Sequence, residues 1–261
     1  MNKLTIERAA PWIATAVLLA AWWLCVVLFR IQSYVLPSPP ETLAALYQNR
    51  YALSVHGAAT LITTLLGFVI AVVFGLALGI LVGSFRLAYC ALYPLLVGFN
   101  SVPKAALVPI FVIWFGVGTV PAVVTAFMLS FFPVVVNVAT GFATIEPELV
   151  DVLRSLGATR FDIIRKVGFP RSLPHFFASL KIAITLSFVG SVIAEIVAGN
   201  NGIGNVMLIA GSNFNVPLVF AALVVVALMG IGMYAIFAFL ERRFTSWSVR
   251  AGDGIEYATG G

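Results

Sequence analysis

Charge is what this sequence has least of. Of 261 residues, 15 are Lys or Arg and 10 are Asp or Glu, so charged residues make up 10% of the chain. An ordinary soluble domain carries about 25%. Hydrophobic residues make up 61%, and the mean hydropathy is +1.07. A water-soluble fold of this length cannot hide so much apolar surface. A cytosolic enzyme, a disordered chain and a nucleic-acid module are therefore excluded, and an integral membrane protein remains. Cysteine is scarce as well. Cys25 and Cys90 lie in or beside apolar runs and support neither a disulfide framework nor a metal site. His56 and His175 are far apart, each without a ligand-spaced neighbour, so both read as ordinary polar residues and no metal is expected. A Gly-x4-Gly-Lys-Ser/Thr phosphate loop is missing, so the chain itself is not expected to hydrolyse ATP. A membrane enzyme would need clustered acids, His or Ser with polar neighbours in the apolar runs, and a channel would need a filter repeat or charged ring. Neither pattern is evident.

What is present is a series of long apolar runs. A membrane helix needs about 20 apolar residues, and six runs qualify, near 11–29, 59–84, 88–113, 119–140, 174–197 and 218–240. The first contains Trp12, Trp22 and Trp23, lacks a small-residue cleavage site and is too long for a signal core. The runs are apolar on all faces, as helices in lipid are. Six spans put both ends on one side. That side holds Lys3, Arg8, Arg86, Arg154, Arg160, Arg165, Lys166, Arg171, Arg242, Arg243 and Arg250, and the other only Arg30 and Arg50. Positive residues stay inside, so both termini are expected in the cytoplasm. The net charge of +5 thus reports membrane topology and lipid contact, not nucleic acid.

Local signals refine the spans. Leu36-Pro-Ser-Pro-Pro40 reads as an extended turn. Residues 41–53 then suit a short interfacial helix with Leu43, Leu46, Tyr47 and Leu53 toward the bilayer. Ala71, Gly75, Gly79 and Gly83 recur every four residues and permit close helix approach, within the chain or at a subunit interface. Pro94, Pro103 and Pro109 interrupt the third run around Asn100, Ser101 and Lys104, which frees carbonyls that must face protein or a water-filled path.

The segment 146–174 is the longest cytoplasmic stretch between spans. Pro147 is a plausible first-turn proline, and Glu146, Glu148 and Asp151 suit a helix N-terminus. Leu149, Val152, Leu153 and Leu156 share one face, and Gly157 sits where a C-terminal cap wants a left-handed residue. A second short helix follows, with Phe161, Ile164 and Val167 apolar and Arg160, Arg165 and Lys166 polar, and Pro170 and Pro174 bound its exit. Such a helix–Gly–helix element wants a partner surface or lies on the bilayer.

These residues carry a resemblance. Asp151-Val-Leu-x-x-x-Gly157 followed by Val167-Gly-Phe169-Pro170 is similar in spacing to the EAA loop of binding-protein-dependent ABC importer permeases. Gly and Pro keep their places, while Asp replaces Glu, Val-Leu replaces Ala-Ala, Val replaces Ile and Phe replaces Leu. Leu36-Pro-Ser-Pro39, the segment 103–116, Ser155-Leu-Gly-Ala158, Ala194-Glu195, Gly202-Ile-Gly204 and Glu241-Arg-Arg243 with Trp247 resemble the taurine, nitrate and aliphatic sulfonate subgroup, which includes permeases for thiamine-precursor pyrimidines. The resemblance implies an all-α, type I importer permease fold of about six spans. One domain occupies 1–261, with its core near 59–244 and a coupling-helix loop near 146–170. It implies a transport subunit of the bacterial inner membrane that carries a small, conceivably anionic, organic solute. Its expected partners are two cytoplasmic ATPases holding ATP and Mg, a second permease copy, and an extracytoplasmic solute-binding protein. The expected ATPase-coupling residues are Glu148, Asp151, Val152, Leu153, Arg154, Leu156, Gly157, Ala158, Arg160, Phe161, Val167 and Pro170. An ABC exporter subunit or a non-ABC channel is the competing reading, although exporters normally lack such a loop between spans four and five.

Asn100, Lys104, Glu195 and Met207 are the expected pathway or gate residues. Lys104 and Glu195 are charges inside apolar runs, where an ionised group costs about 2.5–3.5 kcal/mol on insertion scales. They either form a structural pair or snorkel, or they line the path near its outer end. The outer loop 198–217 has no charge and many Gly and Asn residues. It reads as a connector, or as an element whose apolar middle, Val206 to Ala210, plugs the path or meets the binding protein.

Overall fold

A computed structural model describes residues 3–143 and 147–245. Glu146, Trp247 and Arg250 lie outside the described residues, as do the side chains of Lys3, Arg8 and Arg160. Eleven α-helices are described, in the order α1 (Lys3–Leu28), α2 (Pro39–Gln48), α3 (Arg50–Ser84), α4 (Arg86–Ser101), α5 (Val108–Phe115), α6 (Thr119–Ala143), α7 (Pro147–Ser155), α8 (Arg160–Ile163), α9 (Phe169–Ala198), α10 (Ile203–Ser212) and α11 (Val216–Phe244). Among the described residues, five apolar stretches are long enough to cross a membrane by themselves: Ala10–Leu28, Arg50–Ser84, Thr119–Phe142, Phe161–Ala198 and Val216–Phe244. The expected third run, near 88–113, is instead a bent helix pair, a broken span or a re-entrant loop. Arg86–Ser101 and Lys104–Phe115 meet at 79°.

The break has a chemical cause. Pro103 cannot continue the helix, and the backbone at Val102 and Pro103 is extended. A 3₁₀ turn, Lys104–Leu107, restarts the chain before α5. The Lys104 ammonium turns back onto the end of α4 and donates to the Asn100 carbonyl at 3.0 Å and to Asn100 Oδ1 at 2.8 Å. A cation thus satisfies the carbonyl end that the break exposes.

The core is three helices, α3, α6 and α9. The small-residue stripe of α3 faces α6: a Cβ on Gly75 would stand 2.8 Å from Val134 Cβ, one on Gly79 2.7 Å from Val138 Cβ, and one on Gly83 2.8 Å from Phe142 Cβ. These glycines serve packing within the chain. Gly190 of α9 meets the backbone of Thr125 and Ala126 in the same way. Phe68, Val134, Val138, Leu180, Ala183, Ile184 and Phe188 fill the space between. Outside this core, α1 is largely exposed apolar surface, as a lipid-facing helix is.

The interfacial helix is shorter than the expected 41–53. A capping box between Ser38 and Glu41 starts α2, which ends at Gln48, and Asn49 Nδ2 caps the Ala45 carbonyl at 2.9 Å. Leu43 and Tyr47 are exposed as expected, whereas Leu53 belongs to α3 and is 2% exposed. Leu53 turns inward because the new helix begins at Arg50, and it packs with Ala45, Ile203, Ala221 and Ala222, with Leu46 against the same cluster.

Candidate functional site

The helix–Gly–helix element of 147–170 forms as the spacing demands. Helix α7 ends in a Schellman motif. The Ala158 N–H donates to the Leu153 carbonyl at 3.0 Å and the Gly157 N–H to the Arg154 carbonyl at 2.9 Å. Gly157 sits at φ +82°, with open space where a side chain would go, so the constraint there is conformational and not steric. Thr159 then caps α8. Its Oγ1 accepts from the Asp162 N–H at 3.2 Å, and Asp162 Oδ2 accepts from the Thr159 N–H at 3.1 Å. The Thr159 hydroxyl, which also donates to the Asp162 carboxylate, and then the Thr159 N–H hold the Asp162 carboxyl below its ordinary range. A π turn, Ile164–Gly168, runs directly into α9. No chain break therefore separates the element from a core span.

The faces of this element are unequal. Ile163 is buried and Val167 half-buried, whereas Val152 is 56%, Leu156 78% and Phe161 69% exposed. Glu148, Asp151, Arg154 and Ala158 lie beside this apolar patch; Ala158 and Pro170 are half-buried, and Leu153 partly so. Between α7 and α8 lies a cleft of about 300 Å³ lined by Leu153, Leu156, Gly157, Ala158, Asp162 and Lys166, among others. The charges are locally paired, Arg154 with Asp151 at 3.6 Å and Lys166 with Asp162 at 3.4 Å. The element thus presents exposed apolar side chains on a locally self-capped frame.

At the opposite end of α9, Glu195 is 2% exposed. Its Oε2 accepts from Thr60 Oγ1 at 2.8 Å and from the Gly204 N–H at 3.1 Å. Its Oε1 accepts from Ser191 Oγ at 3.3 Å and Thr63 Oγ1 at 3.4 Å. Lys104 and Glu195 are not joined. The lysine is satisfied by Asn100 and the glutamate by α3, α9 and α10. Met207, half-buried, packs against the Leu53–Ile203 cluster. Asn100 is exposed. The loop 198–217 is built around α10 and is not an extended connector.

Sequence reasoning missed Thr60, Thr63, Ser191 and His56. Their signal was available: 60 and 63 share a face of one apolar run, and 191 and 195 a face of another. The other charge in an apolar run, Lys181, pairs with Glu241 of α11 at 2.5 Å. Among the described residues no group of three or more His, Cys, Asp or Glu is placed to hold a metal ion.

A bundle built on a broken third span, with a capped helix–Gly–helix element feeding its fifth span, defines a class of transport subunit. The chain belongs to the family of binding-protein-dependent transport system inner membrane components, whose model matches residues 71–246. It is a permease subunit of an ABC importer, a multi-pass inner-membrane protein. A riboflavin transport system permease protein RibX of Chloroflexus aurantiacus is 32% identical over 88% of this chain and 87% of its own length. A formylaminopyrimidine transport permease protein ThiX of Halalkalibacterium halodurans is 31% identical over 83% and 87%. The taurine transport system permease protein TauC of Escherichia coli K12 is 29% identical over 89% and 87%. The fold matches a structure of the MetNI methionine ABC transporter in an inward-facing conformation, with a TM-score of 0.66, 21% identity, and coverage of 75% of this chain and 97% of that one.

Proposed function

We propose that residues 147–170 dock in a groove of a cytoplasmic ATPase and couple its ATP cycle to opening of a path between two permease copies. The observation that carries this reading is the outward apolar patch of Val152, Leu156 and Phe161 on a self-capped element continuous with α9. Large exposed apolar side chains at the water side of a membrane protein mark a partner surface. Charge does not decide against the bilayer alternative, since Arg154, Arg160, Arg165 and Lys166 outnumber Glu148, Asp151 and Asp162 in this element; membership of the importer permease family favours the ATPase partner. Both termini lie in the cytoplasm on this reading, as the Lys and Arg distribution asks. ATP and Mg belong to the partner, and this chain is non-catalytic. Two ATPases require two coupling elements, hence a second permease copy, here another copy of this chain. An extracytoplasmic binding protein delivers a small organic solute. The relatives carry names for taurine, aliphatic sulfonates, riboflavin and formylaminopyrimidine, so the class is small and polar, an anion among the choices.

The test is reconstitution in proteoliposomes with the copurifying ATPase and binding protein. Solute uptake is expected only with all three components and ATP, and no hydrolysis is expected from this chain alone. Uptake without the binding protein, or ATP hydrolysis by the verified single chain, refutes the reading.

A further inference from the structure

Helix α10 is capped by its neighbours and not by itself. The N–H of Gly202 donates to His56 Nδ1 at 3.1 Å, that of Ile203 to Thr60 Oγ1 at 2.9 Å, and that of Gly204 to Glu195 Oε2 at 3.1 Å. The first N–H groups of a helix lack intrahelical partners, and here three successive ones are taken by side chains of α3 and α9. A carboxylate suits the positive end of α10. Thr60 joins the two sides, because its hydroxyl donates to Glu195 while accepting from Ile203. The fit is close. A Cβ on Gly204 would stand 2.5 Å from the Val192 carbonyl oxygen and 2.7 Å from Glu195 Cβ, and Gly202 holds φ +99° against the Glu195 carboxylate.

The far end of α10 is free of such ties. Leu208 and Ile209 are about half exposed, at 45% and 54%, and Phe214 is 77% exposed. Glu195 lies near the outer end of α9, a helix of 30 residues, or about 45 Å. The inner end of α9 is continuous with the α8 element. N–H···O hydrogen bonds span about 2.7–3.2 Å and weaken steeply when bent below about 120°, so a shift of α9 against α10 must either carry α10 along or open the Glu195 side of the clamp.

From this geometry we infer that Glu195 is a positioning residue that passes movement of α9 to α10 at the outer mouth of the permease, with Thr60 as its partner. The inference rests on the docking role proposed above for residues 147–170. Glu195 itself, enclosed by Thr60, Thr63, Ser191 and Gly204, does not touch solute in this conformation. It acts through α10.

The experiment uses the assembled transporter with its copurifying ATPase and binding protein, in a background carrying Cys25→Ser and Cys90→Ser. One cysteine probe replaces exposed Leu208 and another, in a separate protein, replaces exposed Ser155 of α7. Labelling by a water-soluble maleimide is compared without nucleotide and with ATP trapped. Both probes are expected to change rate between the two states. In Glu195→Gln, and separately in Thr60→Val, the Leu208→Cys difference is expected to vanish while the Ser155→Cys difference persists. Uptake is expected to fall about tenfold, the worth of one charge-assisted hydrogen bond. Thr60→Ser, which keeps the hydroxyl, is expected to retain both. Both variants are close in shape to the native side chains, so membrane insertion is expected to hold. A Ser155→Cys probe that ignores nucleotide overturns the docking role and this inference with it. If Ser155→Cys responds, but Leu208→Cys is indifferent to nucleotide or keeps its response in both Glu195→Gln and Thr60→Val, the inference alone is overturned.

Discussion

Helices α7 and α10 are near-equal short helices, of nine and ten residues, that flank α9 at opposite ends. Each adjoins a positive-φ glycine, Gly157 after α7 and Gly202 before α10. Their bonding is opposite. The α7 terminus closes on itself through Leu153 and Arg154 carbonyls, and Val152 and Leu156 remain exposed. The α10 terminus is closed by His56, Thr60 and Glu195 from elsewhere in the fold. A locally capped helix keeps its shape without help from the rest of the fold. A helix capped by its neighbours has its position set by those neighbours. The first arrangement suits docking, the second suits transmission.

The comparison assumes a stiff frame between the two ends, and the largest expected effect comes from breaking that frame. Gly79→Val would place a Cβ 2.9 Å from the Val135 carbonyl oxygen and 2.7 Å from Val138 Cβ. Backbone cannot yield as a flexible side chain can, and overpacking costs about 1–3 kcal/mol or more. Folded protein in the membrane is expected to drop sharply, read as the monodisperse fraction after extraction. Wild-type yield would show that α3 and α6 are not closely packed.

Next comes Gly157→Val. A left-handed backbone costs an L-residue about 1–2 kcal/mol, and more for a β-branched one. The open space around Gly157 means that insertion and the core are spared. Uptake and ATPase association are expected to be lost at normal membrane levels. Normal transport by this variant would show that the cap does not orient the docking surface.

The frame holds a smaller, electrostatic tie between α9 and α11. Lys181 and Glu241 are each about one-fifth exposed, and removing one partner of such a pair leaves an uncompensated charge. Lys181→Met is expected to lower the thermal unfolding midpoint more than the double change with Glu241→Gln does. Equal losses in single and double variants would mean that the pair is not coupled.

The smallest effect is expected at the surface of the docking element. Lys166 and Asp162 form an ion pair with the lysine 75% exposed, and surface pairs of that kind contribute little to stability. Lys166→Ala should leave the unfolding midpoint nearly unchanged. A large drop would show that α8 is held by its charges and not by Ile163 and the run into α9.

Periodicity made the spans legible, and proline placed the break in the third one. Gly157 could be assigned because a Schellman cap is a local event, written within a few consecutive residues. The partner of the Gly75–Gly79–Gly83 stripe stayed open in sequence, because spacing shows that a helix is narrow but not what approaches it. Leu53 was misplaced toward lipid, since one boundary residue, Asn49, decides whether it belongs to α2 or α3. The ties of Glu195 to Thr60 and Thr63 join residues more than 130 positions apart; each run shows its own polar face in sequence, but not that the two faces meet. Lys104 was recognised as a costly charge, yet its acceptor, Asn100, became visible only once the helix bent.

The docking claim is tested most directly by photo-crosslinking from two positions in the assembled transporter. A benzophenone side chain placed at Leu156 is expected to form an adduct with the cytoplasmic ATPase, and the same group at Leu208 none. An ATPase adduct from Leu208, or its absence from Leu156 in a transporter competent for uptake, would contradict the account.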